Sequence, residues 1–246
     1  MSIDPKPTDA GAVSNYRDYL PADEPTIAAW EKMMAPVISR SAELLAQRLH
    51  RRTGNLLDVG CGYGFFPAAM KNRGWTASGI EISATGRRYA QQHFGLTIYG
   101  KPLTDVHFAE HSFDVVTLFY VIEHLLNPVA VLQEVRRILK PGGIVLLRWP
   151  NTTPIIKLLG RAAHHFDLYH TPYHLHDFSP ATMRRLLLKT GFIHIETRIG
   201  GVTHPERKAL RIASVLTGLL GESVFRLSMG KYLLPGVSKT TLAERR

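Results

Sequence analysis

Short apolar runs alternate with stretches of helical periodicity over the first 150 residues of this chain. The apolar character of 55–59 predicts a buried strand, and further strand-like runs lie at 77–82, 96–99, 113–120 and 144–149. Between them, apolar residues at helical spacing predict helices at 66–73, 84–94 and 129–139. Strands that alternate with helices through short connections are typical of βαβ units, and continuously apolar strands are typical of burial on both faces. The pattern predicts an α/β protein with a doubly wound, mostly parallel sheet.

The two ends of the chain do not follow this alternation of strands and helices. Residues 1–26 are rich in Pro, Asp and Ala and predict an irregular N-terminal segment, after which 36–52 predict a helix that leads into the first strand. Near the other end, Ser179 followed by Pro180 marks the start of a predicted helix at 180–190. A strand is predicted at 192–198.

The last 40 residues add an insertion and a final strand. Residues 206–229 place apolar residues at helical spacing with basic residues between them, and we expect Gly218 and Gly221 to interrupt this helical segment. A run at 239–245 predicts a strand that pairs with 192–198 at the sheet edge. The sheet is therefore predicted to have seven strands, with a helical insertion before the last one.

Composition narrows the protein class. With 45% hydrophobic and 20% charged residues the chain is not mainly disordered, and no stretch approaches the ~18 apolar residues of a membrane span. The first 20 residues lack the apolar run of a secretory signal, so we expect a cytoplasmic protein. The single cysteine, Cys61, excludes a disulfide framework and a CxxC zinc site. Residues 179–246 hold 12 basic and 4 acidic residues, which favours an anionic partner or a solvated basic face.

The most informative motif is the glycine-rich sequence from Leu56 to Gly64, at a strand-to-helix junction. Its spacing is GxGxG, and Phe65 stands where the dinucleotide fingerprint GxGxxG has its third glycine. Asp58 places a carboxylate beside the loop, which opposes a pyrophosphate and suits a ligand with an ammonium group. Glu81 lies at the end of the second predicted strand, 21 residues after Gly60, where a carboxylate can accept hydrogen bonds from ribose hydroxyls. The loop therefore predicts an adenosine-containing ligand that is cationic near the glycines.

Two further segments extend this pattern. Ser112–Leu125 leads from a strand to Glu123-His124-Leu125, and Leu139-Lys140-Pro141-Gly142-Gly143 leads into the next strand. With the loop and Glu81, residues ~55–150 resemble the class I S-adenosylmethionine-dependent methyltransferases, in the small-molecule branch that includes the ubiquinone-type O-methyltransferases. The resemblance implies a Rossmann-like methyltransferase fold and divides the single domain into a lead-in or lid (1–35), a cofactor-binding core (36–150) and a substrate-side region (151–246).

The resemblance also implies roles for individual residues. The loop would hold the methionine part of S-adenosylmethionine, and Glu81 would hold the ribose. Ile82 and the segment that contains Leu103 would contact the adenine, and Phe119 would lie near the methyl-bearing end. The implied cofactor-binding residues are Asp58, Gly60, Cys61, Gly62, Gly64, Glu81, Ile82, Leu103 and Phe119. Many relatives have an acidic residue early in 101–105, where this chain has Pro102 and Leu103.

Methyl transfer to a hydroxyl requires a base, and histidine is suited to this because its unperturbed pKa is about 6.5. His124 is the first candidate because it lies just beyond the strand that flanks the cofactor, and His174 is the second. Tyr120, Tyr173 and His176 are the candidate acceptor contacts. Ubiquinone-type relatives have a second carboxylate three residues before the Glu of Glu-His; here that residue is Tyr120, and we expect no metal site.

Several alternatives remain open on the sequence. The basic C-terminal region is also compatible with an RNA or protein methyltransferase, although no RNA-binding module is recognisable and we consider nucleic acid an improbable partner. The segment 206–229 could contact an anionic membrane and receive a lipid-like acceptor, or pack on the sheet as a lid. A non-catalytic methyltransferase-like regulator is a further alternative, which the intact loop and Glu81 argue against.

Overall fold

The computed structural model describes residues 19–50, 53–151, 160, 174–204, 208–229, 232–234 and 238–246. In chain order the helices are α1 Glu24–Leu49, α2 Phe65–Lys71, α3 Ala84–Phe94, α4 Leu103–Val106, α5 Pro128–Ile138, α6 Pro180–Lys189 and α7 Lys208–Leu227. The strands are β1 Asn55–Val59, β2 Thr76–Ile80, β3 Thr97–Tyr99, β4 Phe113–Phe119, β5 Leu139–Trp149, β6 Phe192–Arg198 and β7 Lys239–Arg245. A 3₁₀ turn, Ile122–His124, follows β4.

The strands form one seven-stranded sheet in the order β3-β2-β1-β4-β5-β7-β6. The first five strands are parallel, and β7 runs antiparallel to both β5 and β6. The predicted fold class is confirmed, with helix α7 as the insertion before the last strand. The predicted pairing of the last two strands is also present, with β7 inside the sheet and β6 at its edge.

Both faces of the sheet are covered, as the continuously apolar strands predicted. Alternate residues of β4 enter different clusters: Val116 and Leu118 pack with Leu132 of α5, whereas Val115 packs with Leu45 of α1 and Phe66 of α2. The strand order reverses between β1 and β4, because β2 and β3 lie on one side and β5 on the other. Open parallel sheets bind ligands in the crevice at the carboxyl ends of such strands.

The start of the first helix was predicted wrongly. We placed it at residue 36 after an irregular lead-in, but α1 begins at Glu24, and Pro36 lies inside the helix. The side chain of Asp23 accepts a hydrogen bond from the backbone N–H of Thr26, so Asp23 caps the helix. A proline can start a helix or interrupt one, and the sequence alone favoured the first use at Pro36.

The glycines of α7 do not interrupt the helix. A Cβ at Gly218 would overlap the side chain of Val202, and one at Gly221 would lie 2.5 Å from Cδ1 of Ile199. Glycine is therefore needed because the helix approaches the segment after β6 closely. The expected interruption is incorrect, and the two glycines mark the side of α7 that faces the rest of the protein.

This close approach can be tested by replacing Gly218 with alanine. We expect Gly218→Ala to destabilise the protein by about 1–3 kcal/mol, because the added methyl group overlaps Val202. In a Val202→Ala background the same change should be neutral or stabilising, because alanine has the higher helix propensity. Urea unfolding of the four proteins of this double-mutant cycle measures the coupling, and additive free energies would contradict the packing described here.

Candidate cofactor and acceptor site

The glycine-rich loop connects β1 to α2 at the switch point of the sheet. The backbone N–H groups of Gly60 and Cys61 both donate to the carbonyl of Ile80, at 2.8 and 2.9 Å, which ties the loop to the end of β2. A Cβ at Gly60 would lie 2.5 Å from Cγ2 of Val121, and one at Gly64 would lie 2.7 Å from Cβ of Ala90. A Cβ built on Gly62, in contrast, would have no described atom within 4 Å. The outer two glycines thus permit close packing, and the middle one borders open space in which a ligand can approach the backbone.

Glu81, directly after β2, closes one side of this space. Its Oε2 accepts from the backbone N–H of Gly62 at 2.8 Å and its Oε1 from that of Ser83 at 2.7 Å. Burial raises the pKa of the carboxyl group, and these hydrogen bonds oppose the increase. A carboxylate oxygen has more than one acceptor site, so ribose hydroxyls can bind while the backbone contacts are kept.

Asp58, on β1 beneath the loop, is only 2% exposed. The hydroxyl of Thr117, its partner on β4, donates to Oδ1 at 2.6 Å. Burial nevertheless raises the pKa of Asp58 to about 7, and the nearby charge of Glu81 contributes to the increase. Two buried carboxyl groups beside an open glycine backbone therefore fit a cationic ligand, since a bound positive charge would stabilise their ionised forms. S-adenosylmethionine has this chemistry, with its ammonium and sulfonium groups.

The other implied cofactor residues surround the loop. Leu103 is buried in the main core cluster at the start of α4, and Ile82 follows Glu81. The ring of Phe119, at the end of β4, packs on Phe66 with 4.7 Å between centroids. Cys61 packs toward β2, where a Cβ at Gly79 would lie 2.6 Å from its Sγ. Burial raises the pKa of the Cys61 thiol well above its usual value, which removes it as a nucleophile.

Residues before α1 pack against Tyr63 of the loop, through contacts that the sequence analysis did not specify. The hydroxyl of Tyr63 donates to the carbonyl of Pro21 at 2.6 Å, and its ring packs edge-on against Trp30 at 5.9 Å. Leu20 is buried with Tyr63 and approaches Gly86 at the start of α3. The described end of the predicted lid is therefore anchored on the cofactor side of the sheet. The apolar spacing of Leu20, Ile27 and Trp30 was the available signal.

The predicted acceptor residues lie on the 3₁₀ turn after β4 and on the segment before α6. The carbonyl of Glu123 accepts hydrogen bonds from the backbone N–H groups of Leu175 and His176, at 2.9 and 3.1 Å. Nε2 of His176 lies 2.9 Å from the carbonyl of Leu125, so this ring fastens the segment to the turn. These contacts bring the rings of His124 and His174 to 4.8 Å between centroids. The two predicted base candidates are thus neighbours, although they are 50 residues apart in sequence.

Glu123, which our sequence analysis did not select as a site residue, lies beside this histidine pair. It is fully buried, and neither carboxylate oxygen has a hydrogen-bond partner among the described residues. Burial raises its pKa to about 8, with a further contribution from the charge of Asp177, so the carboxyl group is mainly protonated at neutral pH. One ligand atom from each of Glu123, His124 and His174 lies within 4.8 Å of the others, and the group could hold a metal ion. The absence of a metal site remains a prediction.

Tyr120 stands between the turn and β5. Its backbone has φ 56°, a left-handed conformation that is uncommon for a non-glycine residue. Its hydroxyl accepts from Nε of Arg148 at 2.8 Å and donates to Ser238 at 3.1 Å. Arg148 is buried and also donates to the carbonyls of residues 199–201, which positions the chain after β6. Tyr173, the remaining predicted acceptor contact, lies outside the described residues.

Comparison with known proteins identifies the family. Residues 30–197 match the family model of a methyltransferase domain, and the chain belongs to this family. It is similar to the ubiquinone biosynthesis O-methyltransferase of Pseudomonas fluorescens Pf0-1, with 32% identity over 151 residues that cover 54% of this chain and 65% of that protein. The corresponding protein of Pseudomonas syringae pv. tomato is 31% identical over 169 residues, 65% of this chain and 72% of the relative.

Solved structures show the same fold at lower identity. The geranyl diphosphate C-methyltransferase of Streptomyces coelicolor A3(2), crystallised with S-adenosylhomocysteine, matches with a TM-score of 0.60 and 18% identity over 85% of this chain and 79% of that one. A methyltransferase of Archaeoglobus fulgidus matches with a TM-score of 0.55 and 18% identity over 82% and 94% of the two chains. The family, the fold and the glycine loop together define an S-adenosylmethionine-dependent methyltransferase, and the predicted cofactor is confirmed at this level.

The raised pKa of Asp58 makes cofactor binding pH-dependent. We expect the Kd for S-adenosylmethionine to rise by up to about tenfold per pH unit below pH 7, because binding the cation requires the ionised carboxylate. Asp58→Asn should bind more weakly at pH 8 and lose most of this dependence. Isothermal titration calorimetry from pH 6 to 8, in buffers of different ionisation enthalpy, measures both the affinity and the proton released. Equal pH profiles for the two proteins would contradict this role of Asp58.

Glu123 should make the stability of the protein fall as the pH rises. Its pKa is about 8 in the folded protein and near 4.5 in the unfolded chain, so its neutral form stabilises the fold fully below pH 4.5, and this stabilisation is lost as the pH approaches and passes 8. We expect Glu123→Gln, which stays neutral, to gain about 8–15 °C in melting temperature relative to the wild type between pH 5 and pH 8.5, because the wild type loses about 4 kcal/mol over this range. Circular dichroism measures this difference, with Glu43→Gln on the exposed side of α1 as control. Parallel curves would show that Glu123 is ionised in the folded protein.

Proposed function

We propose that the protein methylates a hydroxyl oxygen of a small, lipid-like acceptor, with His124 as the general base. The observation that supports this most directly is the proximity of the loop and the histidine pair. Val121, which contacts Gly60, begins the turn in which the backbone N–H of His124 donates to the carbonyl of Val121 at 2.9 Å. A group bound at the glycine loop and a hydroxyl held by the histidines would therefore be neighbours.

In this proposal different residues bind the methyl donor and remove the proton of the acceptor. S-adenosylmethionine supplies an electrophilic methyl group on a positively charged sulfur. The glycine loop, Asp58 and Glu81 bind and orient S-adenosylmethionine. Phe119 lies at the carboxyl end of β4, where its ring packs on Phe66. His124 takes the acceptor's hydroxyl proton as the oxygen–carbon bond forms and the carbon–sulfur bond breaks, so the sulfonium charge is neutralised and a protonated histidine remains. Alignment of the three reacting atoms supplies much of the acceleration.

Neighbouring groups can hold the histidine pair in place. The neutral carboxyl group of Glu123 offers one O–H donor, and His174 lies against His124. Tyr120, which is held by Arg148 and Ser238, would border the acceptor, and so would His176. Tyr173, which lies outside the described residues, is the third proposed contact. The names of the curated relatives refer to O-methylation in ubiquinone biosynthesis, which supports oxygen as the atom methylated and an apolar acceptor.

A direct test separates the acceptor classes. Incubation of the full chain with methyl-labelled S-adenosylmethionine and a cell extract, followed by separation into lipid, small-molecule, RNA and protein fractions, should place the label in the lipid or small-molecule fraction. Label in RNA or protein would overturn the proposed acceptor class. Chemical hydrolysis of the labelled product distinguishes an O-methyl ether from methylated nitrogen.

The role of His124 predicts a specific kinetic effect. We expect His124→Ala to lower kcat by about 10²- to 10⁴-fold while the Kd for S-adenosylmethionine is unchanged, because the residue is assigned to the acceptor. His93→Ala, on the exposed side of α3, is the matched control and should keep full activity. A fully active His124→Ala protein would exclude His124 as the base. Dialysis against EDTA should leave the wild-type rate unchanged; loss of activity restored by a divalent cation would assign the histidines to a metal instead.

A further inference from the structure

Helix α7 presents five large aliphatic side chains to solvent and small residues to the protein, and Val215, Val224 and Phe225 are half-buried. On the inner side, the hydroxyl of Ser214 donates to the carbonyl of Thr203 at 2.8 Å, and Gly218 and Gly221 touch Val202 and Ile199. The outer face of α7 consists of Ile212, Leu216, Leu219, Leu220 and Leu227, each 60–85% exposed. At about 100° per residue these five side chains fall within about 100° of the helix circumference, opposite the glycines. This is the reverse of the usual orientation of a surface helix, whose apolar side faces the core.

The charges beside this face are positive. Lys208 and Arg226 lie along one border of the apolar strip, and Arg211 continues it on the same side; all three are exposed. The only acidic residue in α7 is Glu222, which pairs with Arg226 at 3.3 Å. Just after the helix, Met229 and Tyr232 are 83% and 69% exposed. A strip of leucines bordered by cations and followed by an exposed tyrosine matches the composition of helices that lie in the interface of an anionic membrane.

We propose that the outer face of α7 docks on an anionic lipid surface, with the helix parallel to the membrane plane. The leucines enter the boundary between headgroups and acyl chains, and Lys208 and Arg211 contact the phosphates. None of the described helices is long and apolar enough to cross a membrane. The charge also favours lipid over a second copy of this chain, since a second copy would carry the same positive border. The proposal does not depend on which acceptor is methylated.

Sedimentation with vesicles tests the docking. We expect the full chain to sediment with vesicles of phosphatidylcholine containing about 30% phosphatidylglycerol, and much less with phosphatidylcholine alone or at high salt. Leu216→Glu/Leu219→Glu should lower the partition coefficient at least tenfold, and Lys208→Gln/Arg211→Gln about tenfold. The matched controls on α6, Leu188→Glu and Arg184→Gln/Arg185→Gln, remove an exposed leucine and two exposed arginines and should sediment as the wild type does.

Two further measurements make the result decisive. Calorimetric binding of S-adenosylmethionine shows whether each variant is folded, independently of any acceptor. Light scattering after gel filtration shows whether the outer face of α7 joins two copies. Failure of the wild type to sediment with the anionic vesicles, or equal sedimentation of the Leu216→Glu/Leu219→Glu variant, would overturn the proposal. Self-association that this variant abolishes, without vesicle binding, would assign the face to a second copy and would overturn it as well.

Discussion

The contact between Gly60 and Val121 is the constraint on which the site depends. It joins the loop after β1 to the turn after β4, at the one place in the sheet where the strand order reverses. A side chain at position 60 would push these two segments apart, and with them the cofactor side and the acceptor side of the site. Because the turn also carries Glu123 and His124, this one contact sets the distance between the glycine loop and His124.

Three carboxyl groups near this contact are buried away from solvent. Asp58, Glu81 and Glu123 are all buried, and burial raises the pKa of each. The first two lie beside the glycine loop, where a cationic ligand would favour their ionised forms. Glu123 lies beside two histidines and is mainly neutral at neutral pH. A bound cation would therefore ionise the carboxyl groups on one side of Val121, whereas Glu123 on the other side stays mainly protonated, and the difference comes from the surroundings.

The C-terminal region is connected to the site through the buried side chain of Arg148. Arg148 is buried in β5 and reaches Tyr120 on one side and the carbonyls of residues 199–201 on the other. The chain that leads to α7 is thus tied to the same strand end as the acceptor side of the site. A surface that holds α7 would therefore lie at a fixed orientation to the site.

The sequence by itself determined the elements and the cofactor half of the site. Strand-like runs that alternate with helical periodicity predict a parallel sheet, and Asp58, the three glycines and Glu81 are close together in the chain, so their spacing was sufficient. The sequence could not determine that His174 meets His124, or that Glu123 is buried without a hydrogen-bond partner in the part of the chain that the structure describes, because these depend on contacts between segments 50 residues apart. Nor could it settle the start of α1 at Glu24 or the orientation of α7. Pro36, Gly218 and Gly221 each suit more than one local conformation, and only the neighbours that pack against them in the folded protein select one.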